Sequence, residues 1–164
     1  MRFRGAGFLV LLVVGTCVPA ARAQYQGPAQ SLVVNGSRLH TWTDDDANVA
    51  MVEGPVTIEL DKNRMSAQNA VIWVTPIRGG PIEQERVEIA LIGDASLSQP
   101  NGVTRSGPTL YVDSRLSGTF KVNAKERLGG DRSDSDLYQQ ARAMRPVLLR
   151  RGGGGGGERQ WVVQ

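Results

Sequence analysis

The chain has 164 residues, which is enough for one domain of ordinary size with additional terminal segments. Its 40% hydrophobic and 5% aromatic residues support a modest core of mainly aliphatic side chains. The formal net charge is +3. Three arginines within residues 1–23 account for this charge, so the remainder is formally neutral and a nucleic-acid role loses its main electrostatic argument.

Residues 1–23 have the pattern of a secretory signal peptide. Basic residues precede an apolar run over residues 8–14, and Ala21-Arg22-Ala23 matches a small-residue cleavage site. The apolar run is too short to span a bilayer as a mature helix. Lipid attachment at Cys17 is an alternative, which Thr16 disfavours because a smaller residue is normally needed there. Cleavage after Ala23 would remove the one cysteine of the chain, so we predict an exported, periplasmic protein without disulfides.

The next segment predicts a first hairpin. Residues 31–34 are a strand candidate, Asn35-Gly36 is a two-residue reversal signal, and residues 38–43 alternate as the partner strand. Asn35-Gly36-Ser37 also matches a glycosylation sequon, but the hairpin turn explains it. Asp44-Asp45-Asp46 lacks the spaced ligands and distal glutamate of a calcium loop, so a solvated turn is the better interpretation.

Two stretches about forty residues apart repeat one pattern. Residues 52–72 and 91–112 each contain an apolar entry, a glycine (Gly54 or Gly93), a short alternating strand, a reversal, a pair of small residues and a second strand. Repeats of strands at this spacing predict stacked hairpins, whose inner faces are dry only when they pack together.

Alternation with a period of two extends from Val49 to Val122. Asp61-Lys62-Asn63 and Pro100-Asn101-Gly102 predict turns, and residues 75–81, with two prolines and two glycines, predict a loop. Short strands separated by regular turns indicate an all-β fold.

Residues 70–74 are apolar on both faces. Val71, Trp73 and Val74 therefore form either an assembly edge or a second buried face, and the pattern alone does not separate these interpretations.

The C-terminal part changes character. Ser133 with Asp136 has the form of a capping box, an apolar stripe at helical spacing follows, and Pro146 ends it. The apolar stripe consists of Leu137, Gln140, Ala141 and Met144. Residues 152–157 are a glycine block with the composition of a linker. We predict four segments: a signal peptide (1–23), a β-repeat domain (24–126), a short helix with a basic segment (127–151), and a Gly-rich linker and tail (152–164).

The repeated unit resembles the organic-solvent-tolerance-like (OstA-like) domain shared by the lipopolysaccharide-transport proteins LptA and LptD. The matching residues are Val52-Glu53-Gly54-Pro55-Val56-Thr57-Ile58, Arg64-Met65-Ser66-Ala67-Gln68-Asn69-Ala70, and their second copies around Gly93 and Gly107. The resemblance covers residues 49–122, less than half of the chain, and the loop at 75–81 and the helical tail depart from the family's unit.

The resemblance implies an open, V-shaped roll of stacked antiparallel hairpins with an apolar slot for acyl chains. It also implies that lipopolysaccharide or a similar acylated glycolipid is the ligand, and that other envelope-transport proteins or further copies associate through edge strands. The residues expected to line the slot are Val56, Ile58, Leu60, Ile72, Leu97, Leu110, Val112, Phe120 and Val122. The alternative for these residues is the filled core of a closed sandwich.

The sequence contains no recognisable catalytic or metal-binding motif. His40, the one histidine of the chain, lies in a strand candidate with neither a nucleophile nor a second histidine in a recognisable motif. We therefore predict a non-enzymatic protein without cofactor or metal. The resemblance implies that its function is binding or relay of lipopolysaccharide-like amphiphiles during outer-membrane assembly. The alternative is a structural or adhesive β-repeat module that binds protein through its sheet edges, either by itself or as the N-terminal part of a larger envelope protein.

Overall fold

The structure is a computed structural model that describes residues 29–146. The predicted signal peptide, Cys17, and the predicted Gly-rich linker and tail (152–164) lie outside the described residues.

The described residues form five long strands followed by one short helix. Their bounds are β1 Ala29–Asp44, β2 Ala47–Leu60, β3 Asn63–Ile77, β4 Gln84–Ser98, β5 Thr104–Leu128 and α1 Asp136–Met144.

The five strands form one sheet that closes into a barrel. Consecutive strands pair antiparallel from β1 to β5, and a parallel pairing between β1 and β5 completes the ring. The predicted all-β class with a short helical tail is confirmed. The predicted opening along one side of the sheet is wrong, because the sheet closes. With 25 residues, β5 is long enough to pair first with β4 and then with β1.

The two copies of the repeated pattern form neighbouring hairpins, as predicted. The first is β2–β3 and the second is β4–β5, and the pairing of β3 with β4 joins them. Gly54 and Gly93 occupy equivalent positive-φ positions, at 91° and 82°. At both sites the register shifts, and the shifts in adjacent strand pairs form one continuous line across the sheet, which we call the bulge line. Glycines at the bulges allow each strand to bend there.

The predicted turn at Asn35-Gly36 is wrong. β1 continues through these residues, and Asn35 is the last residue before the register shift that places β1 on the bulge line. The hairpin reverses instead at Asp45-Asp46, where Asp45 has a φ of 53°. An Asn-Gly pair tolerates positive φ in a bulge as well as in a turn, which is why the local pattern did not distinguish them.

The inner face of the sheet forms one apolar core. Beyond the bulge line, Val56, Ile58 and Leu60 on β2 are buried while Thr57 and Glu59 are exposed, which is the predicted alternation. On the other side of the bulge line, every residue of the segment 49–52 is buried. That segment must therefore be covered on both faces.

Helix α1 provides the second cover. A second apolar cluster, which we call the outer core, lies on the outer face of the sheet and includes Met51, Val71 and Trp73. Tyr138 and Ala141 of the helix are buried in the outer core, and Leu137 and Met144 are partly buried against it. The N-cap is Ser135, whose Oγ accepts a hydrogen bond from the Tyr138 N–H at 3.3 Å, so the predicted cap at Ser133 is wrong. Gln140 of the predicted stripe is exposed. With nine residues, α1 depends on this packing for its stability.

Within residues 29–146, no helix has both the length and the apolar character needed to cross a membrane.

Candidate ligand-binding interior

All nine residues predicted to line the slot face the barrel interior. Seven of them are buried members of the inner core, and Phe120 and Val122 are partly buried against it. Ile58 and Ile72 are completely buried, and Leu110 is 5% exposed. The inward orientation predicted for these residues is thus confirmed, while their contact with lipid remains a prediction.

Burial decreases along the inner face of β5. Leu110, Val112 and Leu116 are buried where β5 pairs with β4. Phe120, Val122 and Ala124 follow at the same two-residue spacing and are only partly buried. We call these three residues the apolar ledge. The apolar ledge extends the core to a place where solvent reaches it.

The strand that carries the apolar ledge has one partner. β5 pairs with β4 up to Leu116 and with β1 from Leu116 to Leu128. Leu116 pairs with both β4 and β1, so β4 and β1 lie on opposite edges of β5. Among the described residues, segment 117–128 is paired with β1 alone, and its other edge has no strand partner. The Val122 carbonyl accepts a hydrogen bond from the Arg127 guanidinium at 3.4 Å.

The structure decides between the two interpretations of Val71, Trp73 and Val74. β3 is paired along its length with β2 and β4, so these residues do not lie at a sheet edge. Val74 belongs to the inner core. Val71 and Trp73 belong to the outer core beneath α1, which makes them the second buried face.

A polar cluster holds the end of α1 against the sheet. Glu88 on β4 is 3% exposed and accepts hydrogen bonds from the Arg145 guanidinium at 2.6 and 3.2 Å. The Tyr111 hydroxyl also donates to Glu88. Arg145 lies over the Trp73 ring, 4.9 Å from its centroid, which adds a cation–π contact.

The buried carboxylate of this cluster is ionised. Burial alone would raise the pKa of Glu88, but the hydrogen bonds from Arg145 and Tyr111, together with the positive charges of Arg145 and Arg86, hold the pKa below its usual value. Burial and the hydrogen bond to Glu88 raise the pKa of the Tyr111 hydroxyl. Tyr111 therefore remains a neutral donor at physiological pH, and the cluster acts as a static attachment for α1.

Tyr138 makes the second attachment of α1. Its hydroxyl accepts from the Trp73 Nε1–H at 3.2 Å and donates to the Asp44 carboxylate. Its ring packs edge-on against Trp42, with centroids 5.1 Å apart. Asp44 thus anchors the helix, whereas the sequence pattern placed it in a solvated turn.

His40 lies on the outer face of β1 and is buried. Its Nε2 is 3.8 Å from Glu53 Oε1, and Glu53 also pairs with Arg38 at 2.7 Å. Among residues 29–146, no group of three or more potential metal-ligating side chains comes together.

The sequence analysis missed Glu88, Tyr111, Tyr138 and Arg145. No motif identifies them, because Glu88 and Tyr111 meet only through the pairing of β4 with β5, and Tyr138 and Arg145 reach the sheet only when α1 packs on it. The available signal was the apolar segment 70–74, which required a second cover from some other part of the chain.

No family model, no curated protein and no solved structure matches this chain.

Proposed function

We propose that this chain is an exported, non-enzymatic β domain that binds the acyl chains of lipopolysaccharide-like amphiphiles. The observation that supports the proposal is the apolar ledge. Phe120, Val122 and Ala124 continue the inner core and are only partly buried. An acyl chain that extends the core along this surface would bury methylene groups without breaking any strand pairing.

The energetics favour such binding. Each buried methylene contributes about 0.8 kcal/mol, so covering half of a twelve-carbon chain contributes about 5 kcal/mol. This gain is offset by the cost of ordering the chain and the ligand. Binding in the micromolar range corresponds to about 8 kcal/mol, so contacts beyond the ledge would have to contribute as well.

Displacement of a dansyl-labelled undecanoic acid by dodecyl maltoside or lipid A from the purified chain tests this function. We expect saturable displacement by both. The variant Phe120→Ala/Val122→Ser should weaken binding about tenfold or more because it removes apolar area from the ledge. Val103→Ala is the control, since Val103 is 43% exposed and precedes β5 at the end opposite the ledge. Absence of saturable binding, or equal binding by the ledge variant, would refute the proposal.

The ledge is a better place to test binding than the buried core. Aspartate at Ile58 or Leu110 would place a charge in the closed part of the interior, where both residues are at most 5% exposed. Such variants would unfold the domain and report on folding alone. Circular dichroism of the ledge variant and its control should show wild-type strand content.

A structural or adhesive β module is a second candidate. The near-complete burial of the interior favours it, because a filled core needs no ligand. In this case the unpaired edge of segment 117–128 would bind a strand of another protein or of a second copy. Chemical cross-linking would then show concentration-dependent oligomers, while titration with dodecyl maltoside would show no binding.

Export is supported by the pattern of residues 1–23. Mass spectrometry of the protein recovered from a periplasmic extract should give a chain that begins at Gln24. An unprocessed N-terminus would contradict this part of the proposal.

A further inference from the structure

The loop between β3 and β4, residues 78–83, lies at the point where β5 loses its partner β4. Near the start of β4, Glu85 pairs with Leu116 of β5. Because the two strands are antiparallel, the loop that precedes β4 and the segment of β5 that follows Leu116 leave this pair in the same direction. Ile82 is three positions from Glu85, and the ledge residue Phe120 is four positions from Leu116. The loop therefore begins beside the apolar ledge, at the edge of β5 that has no strand partner.

The sequence of this loop explains why it does not continue the ladder. Pro81 has no N–H group to donate to β5, and Gly79 has a φ of 94°. A Cβ atom at Gly79 would meet nothing within 4 Å, and all six residues of the loop are exposed. The loop is therefore not held by packing at this point, and Gly79-Gly80 gives its backbone a wide choice of conformations.

The one large apolar side chain of the loop is Ile82, which is 61% exposed. A single exposed isoleucine is ordinary on a protein surface, so its exposure alone indicates nothing. Its position is informative, because the nearby ledge residues also present apolar area to solvent. An acyl chain that lay between Ile82 and the ledge would remove apolar surface of both from water.

We infer that the loop 78–83 is a lid of the acyl-chain site, and that Ile82 packs on the side of the bound chain that faces away from the apolar ledge. The inference rests on the proposed function, which places the chain on the ledge, and adds the residue that covers it. Without a lid, one side of the bound chain would stay in water. A loop with adjacent glycines can close over that side without breaking any strand pairing.

Removal of the Ile82 side chain tests the lid. Dodecyl maltoside is titrated against the purified full chain by isothermal calorimetry below its micelle-forming concentration. We expect Ile82→Ser to weaken binding about three- to tenfold, and Ile82→Val, which keeps most of the apolar area, to bind within about twofold of wild type. Val103→Ser is the matched control and should also stay within about twofold, because Val103 is 43% exposed and precedes β5 at the end opposite the ledge.

A dye attached at position 82 reports closure of the lid directly. Cys17→Ser removes the one natural cysteine of the chain, so that Ile82→Cys or Val103→Cys then carries a single acrylodan label. The emission of acrylodan shifts to shorter wavelength when its surroundings become apolar. On addition of dodecyl maltoside we expect this shift at position 82, with the same saturation as in calorimetry, and no shift at position 103.

The outcomes distinguish the inference from the proposed function. Failure of dodecyl maltoside to bind the wild type overturns the proposed function and the inference with it. Unchanged binding by Ile82→Ser, while Phe120→Ala/Val122→Ser weakens it, overturns the inference and leaves the proposed function standing. Equal weakening by Ile82→Ser and Val103→Ser would show a general effect of lost apolar surface, and a label at position 82 that stays in water would show that the loop does not close. Either of these results also overturns the inference.

Discussion

Gly118 passes so close to Gln30 that a Cβ atom at position 118 would lie 1.7 Å from the Gln30 carbonyl oxygen. This contact occurs just beyond Leu116, the residue at which β5 leaves β4 and joins β1. Closure of the barrel therefore depends on a glycine, because any side chain there would push β1 and β5 apart.

Substitution of Gly118 tests this closure. We expect Gly118→Ala to lower the free energy of unfolding by at least about 2 kcal/mol, since the methyl group meets backbone atoms that have little room to move. Urea unfolding followed by circular dichroism measures the effect. Gly129→Ala is the control, because a Cβ there meets nothing within 4 Å. If both variants unfolded at the same urea concentration, the close approach would not exist in solution.

The bulge line predicts a graded effect of alanine at two glycines. Gly93 and Gly102 have nearly the same φ, 82° and 81°. Alanine at either position would therefore be destabilised by about 1 kcal/mol in this left-handed conformation. A Cβ at Gly93 would also lie 2.9 Å from the Gln68 Cβ, whereas one at Gly102 meets nothing within 4 Å. We expect Gly93→Ala to lower the free energy of unfolding by about 1–2 kcal/mol more than Gly102→Ala. Equal losses in thermal or urea unfolding would argue against a tight bulge at Gly93.

The N-cap of α1 can be located by a pair of serine variants. Ser135→Ala removes the acceptor for the Tyr138 N–H and should cost about 1 kcal/mol of stability. Ser133→Ala should cost much less, because the backbone N–H of Ser133, not its hydroxyl, makes the contact with Asp131. The change in tryptophan fluorescence during urea unfolding is a suitable measurement, because Trp42 and Trp73 both pack against Tyr138 of α1. A larger loss for Ser133→Ala would restore the cap predicted from the capping-box pattern.

The cluster at Glu88 predicts a specific dependence of stability on pH. Because the pKa of Glu88 is lower in the folded protein than its usual value of 4.5, the ionised carboxylate stabilises the fold above that pH. This contribution is lost as the pH falls through the folded-state pKa. Glu88→Gln should cost about 1.5–3 kcal/mol at pH 7, where the charged hydrogen bonds are intact.

The difference between wild type and Glu88→Gln should stay constant from about pH 7 to pH 5 and shrink below 4.5. Glu83→Gln, in the exposed loop after β3, should match wild type throughout. Urea unfolding at a series of pH values gives both curves. A difference that grew on acidification would mean that the folded-state pKa of Glu88 is raised.

Much of the inner core could be predicted from local pattern. Val56, Ile58 and Leu60 alternate with polar residues because one face of a strand meets the core and the other meets water. The doubled pattern around Gly54 and Gly93 correctly predicted two neighbouring hairpins, since both copies need the same bend and the same dry face.

Interactions between distant parts of the chain could not be predicted in this way. Asn35-Gly36 satisfies the local requirements of both a turn and a bulge, and only pairing with β2 decides that β1 continues. Glu88 and Arg145 are 57 positions apart, and neither side chain indicates a buried ion pair until α1 packs on the sheet.

The sequence by itself determined the all-β class, the turns at 61–63 and 100–102 and the inward orientation of nine apolar residues, because each follows from the residues next to one another along the strand. Only the tertiary structure decided that the sheet closes, that α1 covers Trp73, and that Phe120 and Val122 remain partly exposed. Those outcomes depend on the length of β5 and on contacts across the sheet, and alternation within one strand carries no information about either.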